Sequence, residues 1–228
     1  MSSETMTVEQ AEGEVRAARD AIVEAVLPNV AFDGWTMKAV AAAAADAGYP
    51  AGTAARLFPQ GVIDVLRHLS DLSDRKMLAA MSGRDLGMVP LRERVALAVR
   101  ARIEAYAPHK EAVRRAFSFL ALPQNAGVAA GNIMRTVDAL WYGAGDEATD
   151  FSYYTKRALL APIYVATILY WLDDDSEDFV ETWSFLDRRL GNVLQIPRLS
   201  AKLRTLVNPL SWLSGRGTGG DFGSSRSI

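Results

Sequence analysis

Apolar residues recur three and four positions apart along most of the chain, which is the spacing of one buried helix face. In the first clear segment this stripe consists of Val15, Ala18, Ile22, Val23 and Val26. The alternation of apolar and polar residues that is typical of strands is not sustained anywhere, and no Asn-Gly hairpin turn occurs. The pattern therefore predicts an all-α protein, a bundle of about nine to ten helices.

Capping and helix-breaking residues indicate where these helices begin and end. Thr36 is suited to cap a helix that runs to Ala47, and Gly48 follows it. Pro50 suits the first position of a short helix that ends near Phe58. Further helices are expected at about 61–80, 90–106, 109–120, 128–142, 150–172 with a kink at Pro162, 176–190 with Gly191 at its end, and from 197 onward.

The segment 32–61 has the layout of a helix-turn-helix. A capped, Ala-rich helix is followed by a tight turn with Gly48 and by a short second helix. DNA affinity comes mostly from Lys and Arg contacts to phosphates. The bases of this segment are Lys38 and Arg56, and Asp33 and Asp46 balance them. We therefore expect a packing unit that does not bind nucleic acid.

The composition excludes several kinds of chemistry. The chain has 228 residues, half of them hydrophobic, and a formal net charge of −2, without the basic excess typical of nucleic-acid-binding proteins. The absence of cysteine excludes disulfides, thiol catalysis and thiolate metal sites. The N-terminal residues are acidic and lack an apolar run, so neither a signal nor a transit peptide is predicted. The longest apolar stretch, 158–172, is shorter than the roughly 20 residues that span a bilayer.

Candidate catalytic and metal-binding residues are scarce. A di-iron site in a helical bundle needs Glu-x-x-His pairs, but Val65 stands three positions before His68 and Tyr106 three before His109. We expect both histidines to be structural residues at the surface or partly buried. The acidic run 173–178 is expected to form a solvated turn and a helix start. The sequence therefore predicts no catalytic residue, no metal site and no cofactor.

The last predicted helix is basic and amphipathic. Its apolar stripe consists of Leu199, Leu203, Leu206, Leu210 and Leu213, at spacings of four and three. Six bases and no acid lie between residues 188 and 216, among them Lys202 and Arg204. Such a helix fits a membrane surface, and packing on the protein's own body or across a dimer is the alternative. Pro209 is expected to bend the helix, which leaves the orientation of Trp212 open.

Two sets of motifs carry a resemblance to known families. The ending RLFPQG of the helix-turn-helix resembles the recognition helix of TetR regulators. The stretches LWYGAGDEATDF, YTKRA, LYWLDDDS and ETWSFLDRR resemble the ninth protein of the coenzyme Q (ubiquinone) biosynthesis set, and this resemblance extends over roughly residues 10–213.

The coenzyme Q resemblance implies a fold, a ligand and partners. It implies a TetR-like homodimer that binds an isoprenoid, a quinone or a phospholipid in its second domain. It further implies contact with the inner face of the membrane through the last helix, and help to the di-iron demethoxyubiquinone hydroxylase. The expected domains are 1–75 with the helix-turn-helix, 76–193 for lipid binding and dimerisation, 194–214 for membrane contact, and a flexible tail at 215–228.

The resemblance also implies a docking surface for the hydroxylase, an aromatic pair before a basic dipeptide. Here the pair is Tyr153 and Tyr154, before Lys156 and Arg157, and relatives have Trp at the position of Tyr153. Aromatic residues beside Arg are common interface anchors, although helical aromatics are more often core residues. The complete predicted docking set is Trp141, Tyr142, Asp150, Tyr153, Tyr154, Lys156 and Arg157.

Helical spacing predicts the walls of a lipid pocket. The candidates are Phe117, Leu120, Ile133, Met134, Val137 and Leu140. The same residues would also fill an ordinary core. The sequence thus favours a non-enzymatic accessory protein of ubiquinone biosynthesis. One alternative is a TetR-type transcription regulator with a small-molecule pocket. The other is an enzyme acting on the quinone ring, which the missing catalytic groups disfavour.

Overall fold

A computed structural model describes residues 2–146 and 151–194, and the side chains of residues 8–146 and 154–191. In these ranges every regular element is helical, which confirms the predicted all-α class. The α-helices are α1 (Ser2–Val26), α2 (Val30–Asp33), α3 (Met37–Asp46), α4 (Thr53–Leu57), α5 (Val62–Ser82), α6 (Leu91–Glu104), α7 (Lys110–Leu120), α8 (Ala126–Gly143), α9 (Phe151–Asp173) and α10 (Val180–Leu194). Short 3-10 turns lie at Leu27–Asn29, Ala107–His109, Pro123–Asn125 and Glu177–Phe179.

The first turn of α3 begins where its capping residue predicts. The Thr36 hydroxyl accepts a hydrogen bond from the Ala39 backbone N–H at 3.1 Å, which satisfies a donor that the helix itself leaves unpaired. The predicted start of α4 at Pro50 is wrong. Gly52 has φ +83°, outside the right-handed helical region, so the helix begins only after Gly52, at Thr53.

The predicted end of α10 at Gly191 is also wrong, because the helix continues to Leu194. A glycine lowers helix stability without preventing helical dihedral angles. The long helix α9 contains Pro162 in its interior, as the sequence predicts. The predicted boundary at residue 75 falls within α5, and the division into four domains stays a prediction.

The helix-turn-helix is fixed to the rest of the protein by packing and by hydrogen bonds from two side chains, those of Trp35 and Arg19. The buried alanines Ala43 and Ala44 allow α3 to pack closely on α1. The Trp35 indole N–H donates to the Ala112 carbonyl of α7 at 3.0 Å. The Arg19 guanidinium donates to the Leu57 carbonyl at 2.8 and 3.0 Å. This unit therefore shares one core with α5 and α7.

His68 lies deeper than the sequence suggests, at 7% exposure. Its Nε2 lies 2.6 Å from an Asp20 carboxylate oxygen, and Arg75 donates to the same carboxylate. Burial lowers the pKa of His68, although Asp20 acts in the opposite direction. His109 is partly buried, as expected. His68 thus serves to join α1 and α5.

Candidate ligand cavity and docking surface

A cavity of about 250 Å³ lies among α5, α6, α7, α8 and α9. Most of its wall is apolar, and polar groups are confined to a few side chains. The wall consists of Leu66, Leu69, Ser70, Ser73, Arg102, Ile103, Tyr106, Val113, Ala116, Phe117, Leu120, Ala121, Ala129, Asn132, Ile133, Thr136, Tyr164, Val165, Ile168 and Trp171. An apolar cavity with a few placed polar groups is the usual form of a small-molecule site.

Three of the six predicted pocket residues lie on this wall, namely Phe117, Leu120 and Ile133. Met134 is 44% exposed, because it follows Ile133 by one position and a helix turns about 100° per residue. Val137 and Leu140 are completely buried in the core and do not line the cavity. The apolar stripe of α8 therefore divides between cavity and core, and lipid binding by the three wall residues stays a prediction.

A polar cluster that the sequence did not predict joins three wall residues, Arg102, Thr136 and Tyr164, to Asp74, which does not line the cavity. Arg102 donates to an Asp74 carboxylate oxygen at 2.6 Å and to the Tyr164 hydroxyl. Thr136 donates to Asp74 at 3.0 Å and accepts from Arg102 at 3.1 Å. These residues lie on four different helices, and at least 28 positions separate Arg102 from each of the other three. No local spacing in the sequence could have revealed the cluster.

The cluster carries no net charge. The Arg102 guanidinium and the Asp74 carboxylate neutralise each other in direct contact. Burial raises the pKa of Tyr164 to about 12, although the Arg102 charge opposes this shift. Burial also raises the pKa of Tyr106, which lines the same cavity. Both phenols therefore stay protonated at neutral pH and can donate hydrogen bonds.

Three donors on the wall lack a hydrogen-bond partner among the described residues. They are Asn132 Nδ2, the Tyr106 hydroxyl and Trp171 Nε1. The Asn132 carbonyl oxygen accepts from Arg135 at 2.5 Å, which directs the amide nitrogen elsewhere. Ser73 lies beside the Tyr106 hydroxyl without a hydrogen bond of normal geometry. A buried donor without a partner is costly, so each of these groups marks a place where a ligand oxygen would fit.

The predicted docking set is only partly on the surface. Tyr142 and Tyr154 are each 73% exposed, whereas Trp141 is 1% exposed and cannot contact a partner directly. Lys156 lies over the Trp141 ring and donates to Asp146 at 2.8 Å. Arg157 is buried and pairs with Asp138. Asp150 and the Tyr153 side chain lie outside the described residues, as do all the predicted membrane-contact residues.

The acidic run after α9 is used for helix capping. One Asp174 carboxylate oxygen accepts from the Ser176 backbone N–H at 2.8 Å, and the other accepts from the Thr182 backbone N–H at 2.9 Å.

Within the described side chains no group of His, Cys, Asp and Glu residues could hold a metal ion. Among the helices with described residues, none has the length and hydrophobicity needed to cross a bilayer.

These features define an all-helical protein with a helix-turn-helix and a largely apolar cavity, the architecture of TetR-like proteins. The fold is similar to a TetR transcriptional regulator from Nitrosomonas europaea, with a TM-score of 0.63 over 78% of this chain and 98% of that chain. The sequence identity is 21%, so the likeness concerns the fold.

The sequence comparisons lead to a particular family. Residues 126–197 match the model of the COQ9 family. The mitochondrial ubiquinone biosynthesis protein COQ9 of Drosophila melanogaster is 32% identical over 202 residues, which are 86% of this chain and 61% of that protein. The human protein of the same name is 30% identical, over 81% of this chain and 60% of that protein. The chain spans about three fifths of the length of these relatives. The chain is therefore similar to COQ9 proteins, and the resemblance drawn from its sequence is confirmed.

Proposed function

We propose that this chain is a non-enzymatic accessory protein of ubiquinone biosynthesis. It would bind an isoprenoid or quinone lipid in the cavity among α5–α9 and present it at the membrane to the demethoxyubiquinone hydroxylase. The observation that carries this proposal is the largely apolar cavity, part of which is built from the segment that matches the COQ9 family. Arg102 on the cavity wall and its partner Asp74 already neutralise each other. This agrees better with an accessory role than with catalysis.

The direct test is mass spectrometry of lipid that co-purifies with the full chain. A quinone or another isoprenoid lipid is expected in the wild-type protein. The variant Ile133→Trp, which fills the cavity from α8, should lose this lipid. Met134→Trp is the matched control, because its side chain is exposed and off the cavity wall. Wild-type protein that is reproducibly free of lipid would contradict the proposal.

The exposed aromatics Tyr142 and Tyr154 are the proposed anchors for the hydroxylase. Exposed aromatic side chains that become buried on association often dominate binding free energy. Tyr154→Ala should therefore weaken capture of the purified hydroxylase by about tenfold or more, the effect of losing roughly 1.4 kcal/mol. Phe32→Ala is the control, since Phe32 is an aromatic residue of α2 with 88% exposure. Equal capture by both variants would remove Tyr154 from the docking surface.

A DNA-binding regulator is the second candidate, because the fold is similar to that of a TetR regulator. The side chains of the short helix α4 argue against it. Thr53 and Ala54 are buried, and Arg56 is the basic residue of this helix. A gel shift with random duplex DNA at low salt separates the two candidates. Tight, salt-sensitive binding would favour the regulator, whereas no shift is expected for the accessory protein.

A further inference from the structure

We propose that a second cleft, between α1 and the helices α5 and α8, binds a phosphate monoester that carries an apolar chain. The cleft has a volume of about 770 Å³ and shares no wall residue with the cavity among α5–α9. Pockets that enclose small organic ligands have volumes of roughly 300–1,000 Å³. The cleft is therefore a separate site, and the proposal for it does not depend on the ligand of the cavity.

The carboxylates that α5 contributes to this cleft are already paired with arginines of the same helix. Asp64 accepts from the Gln60 backbone N–H at 2.7 Å and from Arg67 at 3.3 Å. Asp71 accepts from Arg75 at 3.0 Å. Neither carboxylate is therefore left to neutralise the bases on the other walls of the cleft.

Three arginines of the cleft have no carboxylate partner among the described residues, namely Arg16, Arg19 and Arg135. Arg19 donates to the Leu57 carbonyl, and Arg135 donates to the side-chain oxygen of Asn132. Because both acceptors are neutral, the positive charges of these guanidiniums are not compensated. A guanidinium binds phosphate oxygens through paired N–H groups, so the three arginines favour a phosphate group.

The charge balance of the cleft favours a ligand with two negative charges. Glu12 is the wall carboxylate that has no partner in the described part of the chain. His68 adds no charge at neutral pH, because burial lowers its pKa. Three unpaired arginines and one unpaired carboxylate leave an excess of two positive charges. A phosphate monoester carries roughly two negative charges at neutral pH, whereas a carboxylate carries one.

An apolar strip of α1 lies beside these charges. Val8, Ala11 and Val15 line the cleft at spacings of three and four, and the two valines are 58% and 46% exposed. The strip is about 10 Å long, since an α-helix rises about 1.5 Å per residue. Burial of this surface favours a ligand with a hydrocarbon chain. Arg16 and Arg19 follow the strip along α1, so the phosphate lies at the arginines and the chain extends towards the N-terminal end of α1.

The test is isothermal titration calorimetry on the full chain with three probes. They are octyl phosphate, inorganic phosphate without a chain, and the uncharged amphiphile octyl glucoside, all below their micelle concentrations and in phosphate-free buffer. Octyl phosphate should bind about tenfold tighter or more than the other two, because only this probe contacts both the arginines and the apolar strip. Added salt should weaken its binding by screening the exposed charges. If inorganic phosphate or octyl glucoside bound as tightly as octyl phosphate, the proposal would be wrong.

Two variants remove charge from the cleft without removing a contact between helices. Arg16→Gln and Arg135→Gln should each weaken octyl phosphate binding by about fivefold or more, since each deletes a charged hydrogen-bond donor. Both side chains are exposed, so both variants should fold normally. Arg56→Gln is the matched control, because it makes the same charge change at an exposed residue of α4 outside the cleft. An equal loss of affinity in all three variants would indicate a general charge effect and would contradict the proposal.

Two further variants locate the chain of the probe. Val15→Ser should weaken the binding of octyl phosphate and leave that of inorganic phosphate unchanged. Ile133→Trp, which fills the cavity among α5–α9, should leave octyl phosphate binding unchanged. Loss of binding in Ile133→Trp would place the probe in that cavity and overturn the proposal. Absence of octyl phosphate binding to the wild-type protein would also overturn it, whether or not anionic vesicles capture the chain and whether or not lipid co-purifies with it.

Discussion

Asp174 shows how much structure one carboxylate can organise. It follows α9 by one position, and its two oxygens accept hydrogen bonds from Ser176 and Thr182, which connects the end of α9 to the first turns of α10. Burial alone would raise its pKa, but these hydrogen bonds lower the pKa to about 2 from an ordinary value of 3.8. Its ionised form therefore stabilises the folded protein.

The substitution Asp174→Asn tests this role through pH. Because the folded pKa is depressed, the stabilisation is complete above pH 4 and is lost as the pH falls from 4 towards 2. At pH 7 the variant should lose about 2 kcal/mol of unfolding free energy. Urea denaturation at pH 7 and pH 3 should show the difference between variant and wild type narrowing in acid.

Asp175→Asn is the matched control for this measurement. Asp175 is the next residue, its side chain is fully exposed, and its contact with Lys110 is long at 3.7 Å. Exposed ion pairs of this kind contribute little to the free energy of unfolding. The Asp175→Asn variant should therefore be as stable as wild type at both pH values. An Asp174→Asn variant that is equally stable at pH 7 would show that the cap does not need the charge.

Two glycines of α8 differ in what surrounds them, and this difference tests the packing of α8 on α5. A Cβ at Gly143 would lie 3.1 Å from Met77 Sδ and 3.2 Å from Leu78 Cδ2 of α5. Met77 is completely buried and has little room to move. Gly143→Ala should therefore lower the unfolding free energy by about 1 kcal/mol or more, the cost typical of overpacking.

Gly131→Ala is the control on the same helix. Nothing lies within 4 Å of the added methyl group, and alanine is the better helix former by about 1 kcal/mol. This variant should be slightly more stable than wild type by thermal denaturation. If both glycine variants shifted the midpoint in the same direction, the close approach of α5 and α8 at Gly143 would have no energetic consequence.

Helix positions could be predicted from the sequence where a local signal exists. Thr36 marks the start of α3 because its hydroxyl caps that helix directly. The start of α4 was misplaced because the left-handed turn at Gly52 outweighs the helix-start preference of Pro50. The helical period also cannot say which part of an apolar stripe faces a cavity. Ile133 lines it, while Val137, one turn further along α8, is buried in the core.

The polar part of the candidate site could not be predicted for a different reason. Asp74, Arg102 and Thr136 lie far apart in sequence, and only the packing of α5, α6 and α8 brings them together. Taken singly, each of these residues is typical of a polar position on an amphipathic helix. The cluster is a property of the tertiary fold, as is the Asn132 amide donor of the same wall, which has no partner among the described residues.

The molecule as a whole combines a helix-turn-helix with a cavity-containing helical body. The bases and acids of segment 32–61 balance, and the side chains that hold it in place, Trp35 and Arg19, are engaged in hydrogen bonds to other helices. The distribution of charge is very different near the C-terminus, where residues 188–216 contain six bases and no acid. This segment would therefore attract an anionic partner, and we propose that the partner is a membrane that contains anionic lipid.

Flotation with anionic vesicles tests this arrangement on the full chain. Each base near an anionic surface contributes about 1 kcal/mol, and each inserted leucine adds up to roughly 2 kcal/mol. The full chain should float, and a chain ending at Gln195 should stay at the bottom of the gradient. High salt should reduce flotation by screening the basic residues.

Leu203→Asp should abolish flotation, whereas Ser200→Asp, with the same charge change off the leucine stripe, should reduce it only modestly. Equal flotation of the full and shortened chains would mean that the last predicted helix does not bind the membrane.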